Sequence, residues 1–259
     1  MTDEKISVQT DAMLETIEIA TADVKPESVE DAIIDVDQTL KEQTTTDDNG
    51  QKDDDYLLVV NDLKEYFPIS KSLIKSNTVY LKAVDGVSLK LKAGHTIGIV
   101  GESGCGKTTL GRTILRLYEP TGGEVIFEGK HIEKLKGNTL RKMRPNFQMI
   151  FQDPYSSLSP RMTVGEIVGE AVKVHHIVPK EQYKEYIVDI MTKCGLQPHY
   201  FDRYPHEFSG GQRQRISIAK ALALKPKLVI CDEPVSALDV SIQAQIINLF
   251  KDLQESDNL

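Results

Sequence analysis

The sequence predicts an α/β fold, and three observations carry that prediction. The octapeptide Gly101-Glu102-Ser103-Gly104-Cys105-Gly106-Lys107-Thr108 fits G-x-x-x-x-G-K-[ST] and follows a short apolar strand run, His95–Val100. After it, Leu110, Ile114 and Leu117 fall on one face of a helix. Further along, Lys227–Cys231 reads as a second buried strand, ending in the adjacent acids Asp232 and Glu233.

A strand, a glycine loop and a helix N-terminus make an anion site. The glycines let backbone N–H groups turn inward around a phosphate, and the helix dipole adds partial positive charge. Lys107 would reach β- and γ-phosphates, and the Thr108 hydroxyl would ligate Mg²⁺. A strand delivering Asp232 to its carboxyl end can hold that Mg²⁺ through water. Glu233, one residue on, can polarise an attacking water. Each feature has a plainer reading, as a connecting turn and as an acidic helix start; the pair together favours a nucleotide site.

Composition divides the chain. Residues 1–55 hold 17 Asp and Glu against 4 Lys and no aromatic residue, whereas the remainder carries a net charge of +5 within an overall −8. The extension cannot bury enough apolar surface to offset ordering entropy, which predicts disorder. Within it, Ser28 and Asp31 resemble a capping box, and Val29, Ile33, Val36 and Leu40 repeat at helical spacing, predicting a short helix over Val29–Glu42. No apolar run is long enough to span a membrane, and the N-terminus has no secretory apolar core. Cys105, Cys194 and Cys231 have no metal-ligand spacing and read as free thiols.

From Tyr56 the texture becomes globular. Tyr56–Val60 reads as a first strand, and Val79–Val84 and Val87–Leu91 as two more joined by an Asp85-Gly86 turn. Gly122-Gly123 turns into a strand over Glu124–Glu128, and Phe147–Phe151 is another apolar run. Helical patterns follow at Val164–Val174, Lys180–Cys194, Gly210–Leu224 and Val240–Leu253. Ser209-Gly210-Gly211-Gln212 opens the third of these. It reads either as an ordinary serine N-cap or, by the physics of the first loop, as a second phosphate-binding helix end. Two such ends and one triphosphate suggest a head-to-tail pair of subunits, each closing over its neighbour's nucleotide.

With these residues in view, the chain resembles the ATP-binding-cassette (ABC) ATPases. Gly101–Thr108 resembles their Walker A motif, Phe151-Gln152-Asp153-Pro154 their Q-loop, and Phe208–Gln212 their signature motif. Leu228–Glu233 resembles Walker B, and Ser236-Ala237-Leu238-Asp239 the D-loop. Longer matches, such as Ser159–Glu166 and Arg203–Arg215, are similar to the ATP-binding subunits of oligopeptide and dipeptide importers, nearest their F-type subunits. The resemblance covers about Tyr56–Leu259. It implies a P-loop NTPase fold, the ABC nucleotide-binding domain, with an antiparallel β subdomain and an α-helical signature subdomain at about 155–224.

The resemblance also implies roles. ATP would be held by Gly101, Glu102, Ser103, Gly104, Cys105, Gly106, Lys107, Thr108 and Thr109. Ser209, Gly210, Gly211, Gln212 and Asp239 would act across a dimer interface. Mg²⁺ would be held by Thr108, Gln152 and Asp232. Glu233 would be the catalytic base, and Gln152 would sense the γ-phosphate. Tyr66 would stack on adenine, with Tyr80 as the alternative. The implied partners are a second ATPase subunit, a homologous D-type chain, two membrane-spanning permease subunits and an extracytoplasmic peptide-binding protein. The implied location is the cytoplasmic face of the membrane.

One departure stands out. The family places a switch histidine on a strand beyond Walker B, and all six histidines here precede it. That strand belongs between the P-loop and Walker B strands, and a gap there is expensive beside a total stability of about 5–15 kcal/mol. The sequence therefore reads as a truncated chain that binds Mg-ATP weakly and hydrolyses it poorly. A soluble ABC ATPase of nucleic-acid repair or translation is the other reading. Against it stand the short span between Gln152 and Ser209, the single cassette, and the lack of a basic aromatic patch.

Overall fold

A computed structural model describes residues 33–35, 56–70, 79–236 and 238–259. The remainder of the acidic extension, the 71–78 connection and Ala237 lie outside them, and so does most of the helix expected over Val29–Glu42. The one described part of that helix is extended: β1 (Ile33–Asp35) pairs antiparallel with β4 (Ile97–Ile99), with Ile34 opposite Gly98. Helical spacing loses here because an open strand edge offers backbone hydrogen bonds, and two adjacent β-branched isoleucines favour extended backbone.

The chain divides into two compact units. The first holds residues up to Leu110 together with Tyr118–His131. It contains an antiparallel sheet in which β2 (Leu58–Ser70) lies between β3 (Val79–Leu91) and β5 (Gly122–Phe127), with β6 (Lys130–His131) on the edge. Leu58, Val60, Leu63, Val84, Val87, Val125 and Phe127 are buried. The expected turn at Asp85-Gly86 does not form. Leu63 faces Val87 and Lys64 faces Asp85, so Gly86 is an unpaired bulge at φ +87°, and β3 runs through it as one strand. An Asp-Gly pair suits a hairpin turn and a bulge alike, and pairing along the whole of β2 selects the bulge.

The second unit holds Gly111–Leu117 and Ile132–Leu259. Its parallel pair is β7 (Phe147–Ile150) with β8 (Leu228–Cys231), in register from Phe147 opposite Leu228 to Ile150 opposite Cys231. Short helices α2 (Gly137–Met143) and α3 (Pro154–Ser157) flank β7. The longer helices are α4 (Val164–His175), α5 (Tyr183–Lys193), α6 (Gly210–Leu222) and α7 (Val240–Asp257). Their apolar stripes meet in one core that includes Ile167, Val168, Ile187, Met191, Ile216, Ile218, Ile246 and Leu249. Thr163 and Glu166 close a capping box at the start of α4, and His176 ends that helix in the left-handed region at φ 54°.

The helix after the glycine loop, α1 (Lys107–Ile114), begins in the first unit and ends in the second. Within the second unit, Gly111 lies against β8, where a Cβ would come within 3.0 Å of the Ile230 side chain. Arg144 donates to Leu115 O at 2.6 Å and Arg116 O at 3.0 Å, satisfying carbonyls at the helix C-terminus with a positive charge.

Candidate functional site

The glycine loop takes the form its sequence predicts. Gly104 and Gly106 adopt φ +85° and +104°, which L side chains avoid. A Cβ on Gly106 would lie 2.2 Å from Ala83 O, whereas one on Gly104 would meet nothing within 4 Å. One glycine is thus required by packing, and the other leaves the mouth of the cradle open. Lys107 Nζ donates to Gly101 O and, at 2.9 Å, to Glu102 O, so its ammonium sits over the loop. Cys105 is exposed, 3.9 Å from Lys107 Nζ. Thr108 and Thr109 occupy the first turn of α1.

In the same unit, Tyr66 is tied down. Its hydroxyl donates to Asp85, and Lys82 Nζ lies 5.3 Å from the ring centroid and 2.8 Å from Asp85 Oδ2. Hydrogen bonds from Lys82 and Tyr66 hold the Asp85 carboxyl below its ordinary range, and the Asp85 contact raises the Tyr66 phenol. Tyr80, the alternative, is 53% exposed.

In the second unit, strand register places the polar residues that follow β7 and β8. Ile150 faces Cys231, and the ladder continues as Asp232 N–H donates to Ile150 O at 2.9 Å. Two residues beyond that pair on either strand stand Gln152 and Glu233, which meet: Gln152 Nε2 donates to Glu233 Oε2 at 2.7 Å. Glu233 has φ +45°, a strained value for a side-chain-bearing residue. Ser236, whose place beside Glu233 no local pattern signals, holds that conformation. Its N–H and Oγ–H both donate to Glu233 O, at 3.3 and 3.2 Å, and its Oγ accepts from Gln152 at 3.4 Å. Only the tight turn after β8 brings it there.

Ser209 and Gln212 form a reciprocal capping box on α6, the plainer of the two readings of this serine in its local geometry. Ser209 Oγ accepts from Gln212 N at 3.4 Å, and Gln212 Oε1 accepts from Ser209 N at 3.1 Å. Ser209 is exposed, Gly210, Gly211 and Gln212 are half-buried, and Arg213 is buried. A Cβ on Gly211 would lie 2.7 Å from the Ile242 side chain, so this glycine sets the approach of α6 to α7. Asp239 stands exposed at the N-cap of α7 without a side-chain cap bond. Gln243 Nε2 straps the preceding turn through Val235 O and Leu238 O, both at 3.1 Å.

In the second unit, Gln152 and Asp232 carry side-chain oxygens, the donor type that suits a hard divalent cation such as Mg²⁺; Thr108, in the first unit, carries a hydroxyl oxygen. The open loop at Gly104 beside the Lys107 ammonium fits a phosphate.

The ABC transporter family model matches residues 84–236, from the β3 bulge to the turn after β8. The chain belongs to the ABC transporter family. It is 54% identical over 204 residues to the oligopeptide transport ATP-binding protein AppF of Bacillus subtilis, covering 78% of this chain and 62% of AppF. It is 52% identical over 206 residues to OppF of Escherichia coli, with the same coverage. Among solved structures, the ATP-binding cassette MJ0796, a dimer bound to ADP and Pi in a post-hydrolysis state, superposes with a TM-score of 0.67 at 27% identity, covering 78% of this chain and 84% of that one. These cassettes bear out the P-loop NTPase fold. The chain spans 62% of the length of these oligopeptide transport ATP-binding proteins. Among the described residues, no helix is long and apolar enough to cross a membrane.

Proposed function

We propose that this chain is the ATP-binding and ATP-hydrolysing subunit of an importer for oligopeptides or dipeptides. The observation that carries the reading is the Gln152–Glu233 contact at 2.7 Å, which joins the Q-loop to the acid after Walker B within one unit. A connecting turn or an acidic helix start has no use for that contact, whereas a γ-phosphate sensor beside a general base does.

In this reading Gly101–Thr109 cradle the phosphates of ATP, with Lys107 on the β- and γ-phosphates and Tyr66 under the adenine. Thr108, Gln152 and Asp232 hold Mg²⁺, which when bound supplies positive charge against the developing charge of phosphoryl transfer. Glu233 takes a proton from the attacking water. Ser209, Gly210, Gly211, Gln212 and Asp239 act on the nucleotide of a second cassette, a homologous D-type subunit. Residues 1–55 form an acidic extension to the ATPase domain at 56–259, whose helical subdomain is about 155–224. The names of AppF and OppF support a peptide cargo. The assembly then includes two membrane-spanning permease subunits and an extracytoplasmic peptide-binding protein, with this chain at the cytoplasmic face.

The test is affinity purification from membranes of the native host. Two membrane proteins, a peptide-binding protein and a second cassette should accompany the chain, and peptide should stimulate ATP hydrolysis by the assembly. A chain recovered without membrane partners, and hydrolysing ATP regardless of peptide, would overturn the importer reading.

A further inference from the structure

We infer that Tyr155 and Arg213 are positioning residues whose stacked side chains fix the Q-loop to the signature helix. The inference rests on the ATPase reading for its consequence and on geometry of the second unit for its existence. The Arg213 guanidinium lies over the Tyr155 ring with its central carbon 4.0 Å from the centroid. Tyr155 is three residues after Gln152, and Arg213 is four after Ser209. The stack is therefore a short side-chain route from the Glu233–Gln152 pair to the helix end that carries Ser209.

Two further contacts make the attachment a stripe. Ser157 Oγ lies 3.5 Å from Ser217 Oγ, and Lys220 Nζ donates to Ser157 O at 3.1 Å. Arg213, Ser217 and Lys220 fall at i, i+4 and i+7, one face of α6, and that face meets Tyr155 and Ser157 of α3. On the other side, Asp153 caps α3 by accepting from Tyr155 N at 2.8 Å, so the residue next to Gln152 is bound into the same short helix.

The arginine is costly to keep there for stability alone. It is 8% exposed, and its contacts are Nε to Pro205 O at 2.8 Å, Nη2 to His206 O at 3.4 Å, and the ring of Tyr155. Among the described residues, its Nη1 is buried with no hydrogen-bond partner. A buried cation with an unsatisfied donor is worth replacing with an apolar side chain unless its geometry serves something else. A planar guanidinium on an aromatic face is directional, which a positioning contact requires. Tyr155 is 65% exposed, so the ring contributes little to the core, and its truncation leaves the core intact.

The test compares Tyr155→Ala, Tyr155→Phe, Arg213→Met and the double variant in the full chain. Amide hydrogen exchange is followed over 151–158 and 209–216 without nucleotide. Loss of the stack is expected to speed exchange in both segments by roughly tenfold. Tyr155→Phe should retain the wild-type rates because the hydroxyl takes no part. The double variant should be no faster than Arg213→Met, because both changes remove one contact. In ATP turnover, Tyr155→Ala should lower kcat about tenfold with KM unchanged. Faster exchange confined to 151–158, additive effects, or Tyr155→Phe behaving like Tyr155→Ala would overturn the inference. A wild-type chain that neither binds nor hydrolyses ATP would instead sink the ATPase reading, and the exchange data would still decide the stack.

Discussion

Gln152 Nε2 donates to Glu233 Oε2 across 2.7 Å, and the peptide carrying Glu233 is held at φ +45° by Ser236. Both side chains leave the carboxyl edge of a parallel strand pair at equal distance from the last paired residues. Backbone strain of this kind costs about 1–3 kcal/mol and persists only where neighbours enforce it. If Glu233 is the base, Glu233→Gln lowers turnover by about 10²–10⁴-fold while leaving nucleotide binding intact. Phosphate release and equilibrium binding, measured together, check this; unchanged turnover would remove Glu233 from the role.

Gly106 allows no side chain. At φ +104°, with Ala83 O 2.2 Å from the position of a Cβ, Gly106→Ala must shift either the loop or β3. Nucleotide affinity should fall at least tenfold, with a stability loss of about 1–3 kcal/mol. Gly104→Ala has the space but the wrong φ, so its loss should be smaller. Calorimetry of ATP binding and thermal unfolding of both variants separate the two causes.

The signature helix supplies a matched pair of substitutions. A Cβ on Gly211 would come within 2.7 Å of Ile242, whereas one on Gly210 would sit at 3.7 Å from Leu238, an ordinary contact. Gly211→Ala should destabilise by about 1–3 kcal/mol through overpacking between α6 and α7. Gly210→Ala should change stability by about 0.5 kcal/mol or less, because helix propensity favours alanine. Denaturant unfolding of the two variants is the check, and equal losses would refute the packing account.

Tyr66 and Tyr80 remain distinct candidates beneath adenine. Truncating the stacking residue should cost about 1–3 kcal/mol of nucleotide affinity. Tyr66→Ala is the variant expected to show that loss and Tyr80→Ala the one expected to spare it, because Asp85 and Lys82 already fix the Tyr66 ring. Titration with a fluorescent ATP analogue distinguishes them.

The thiols should differ in reactivity and in their link to stability. Cys105 is exposed in the glycine loop, so a thiol reagent should modify it readily and bound nucleotide should shield it. Cys194 is buried, and burial pushes its pKa up to about 12. A raised folded-state pKa leaves its contribution intact below the ordinary thiol value and loses it as pH climbs from there toward 12. Wild-type stability should therefore fall more steeply with alkaline pH than that of Cys194→Ala. Denaturant unfolding across that range tests the slope.

Much of the site was legible in the chain because its parts are local. A glycine loop between a strand and a helix, and two acids after a buried strand, are continuous segments whose chemistry does not depend on distant partners. The helices at Val164, Gly210 and Val240 are legible by apolar spacing and, in the second, by Ser209 as a cap. Gly86 lies beyond local pattern because an Asp-Gly pair carries the same signal in a turn and in a bulge. Ile33–Asp35 is extended against its helical spacing because that spacing says nothing of an available strand edge.

What the sequence by itself determined is the family, the order of the motifs, and the residue types able to hold a phosphate and a hard cation, because these reside in short-range pattern and side-chain chemistry. The tertiary structure decided which of those residues meet. Register between β7 and β8 brought Gln152 to Glu233, the turn after β8 brought Ser236 to both, and one face of α6 brought Arg213 onto Tyr155. Such contacts join residues far apart in the chain, so only packing specifies them.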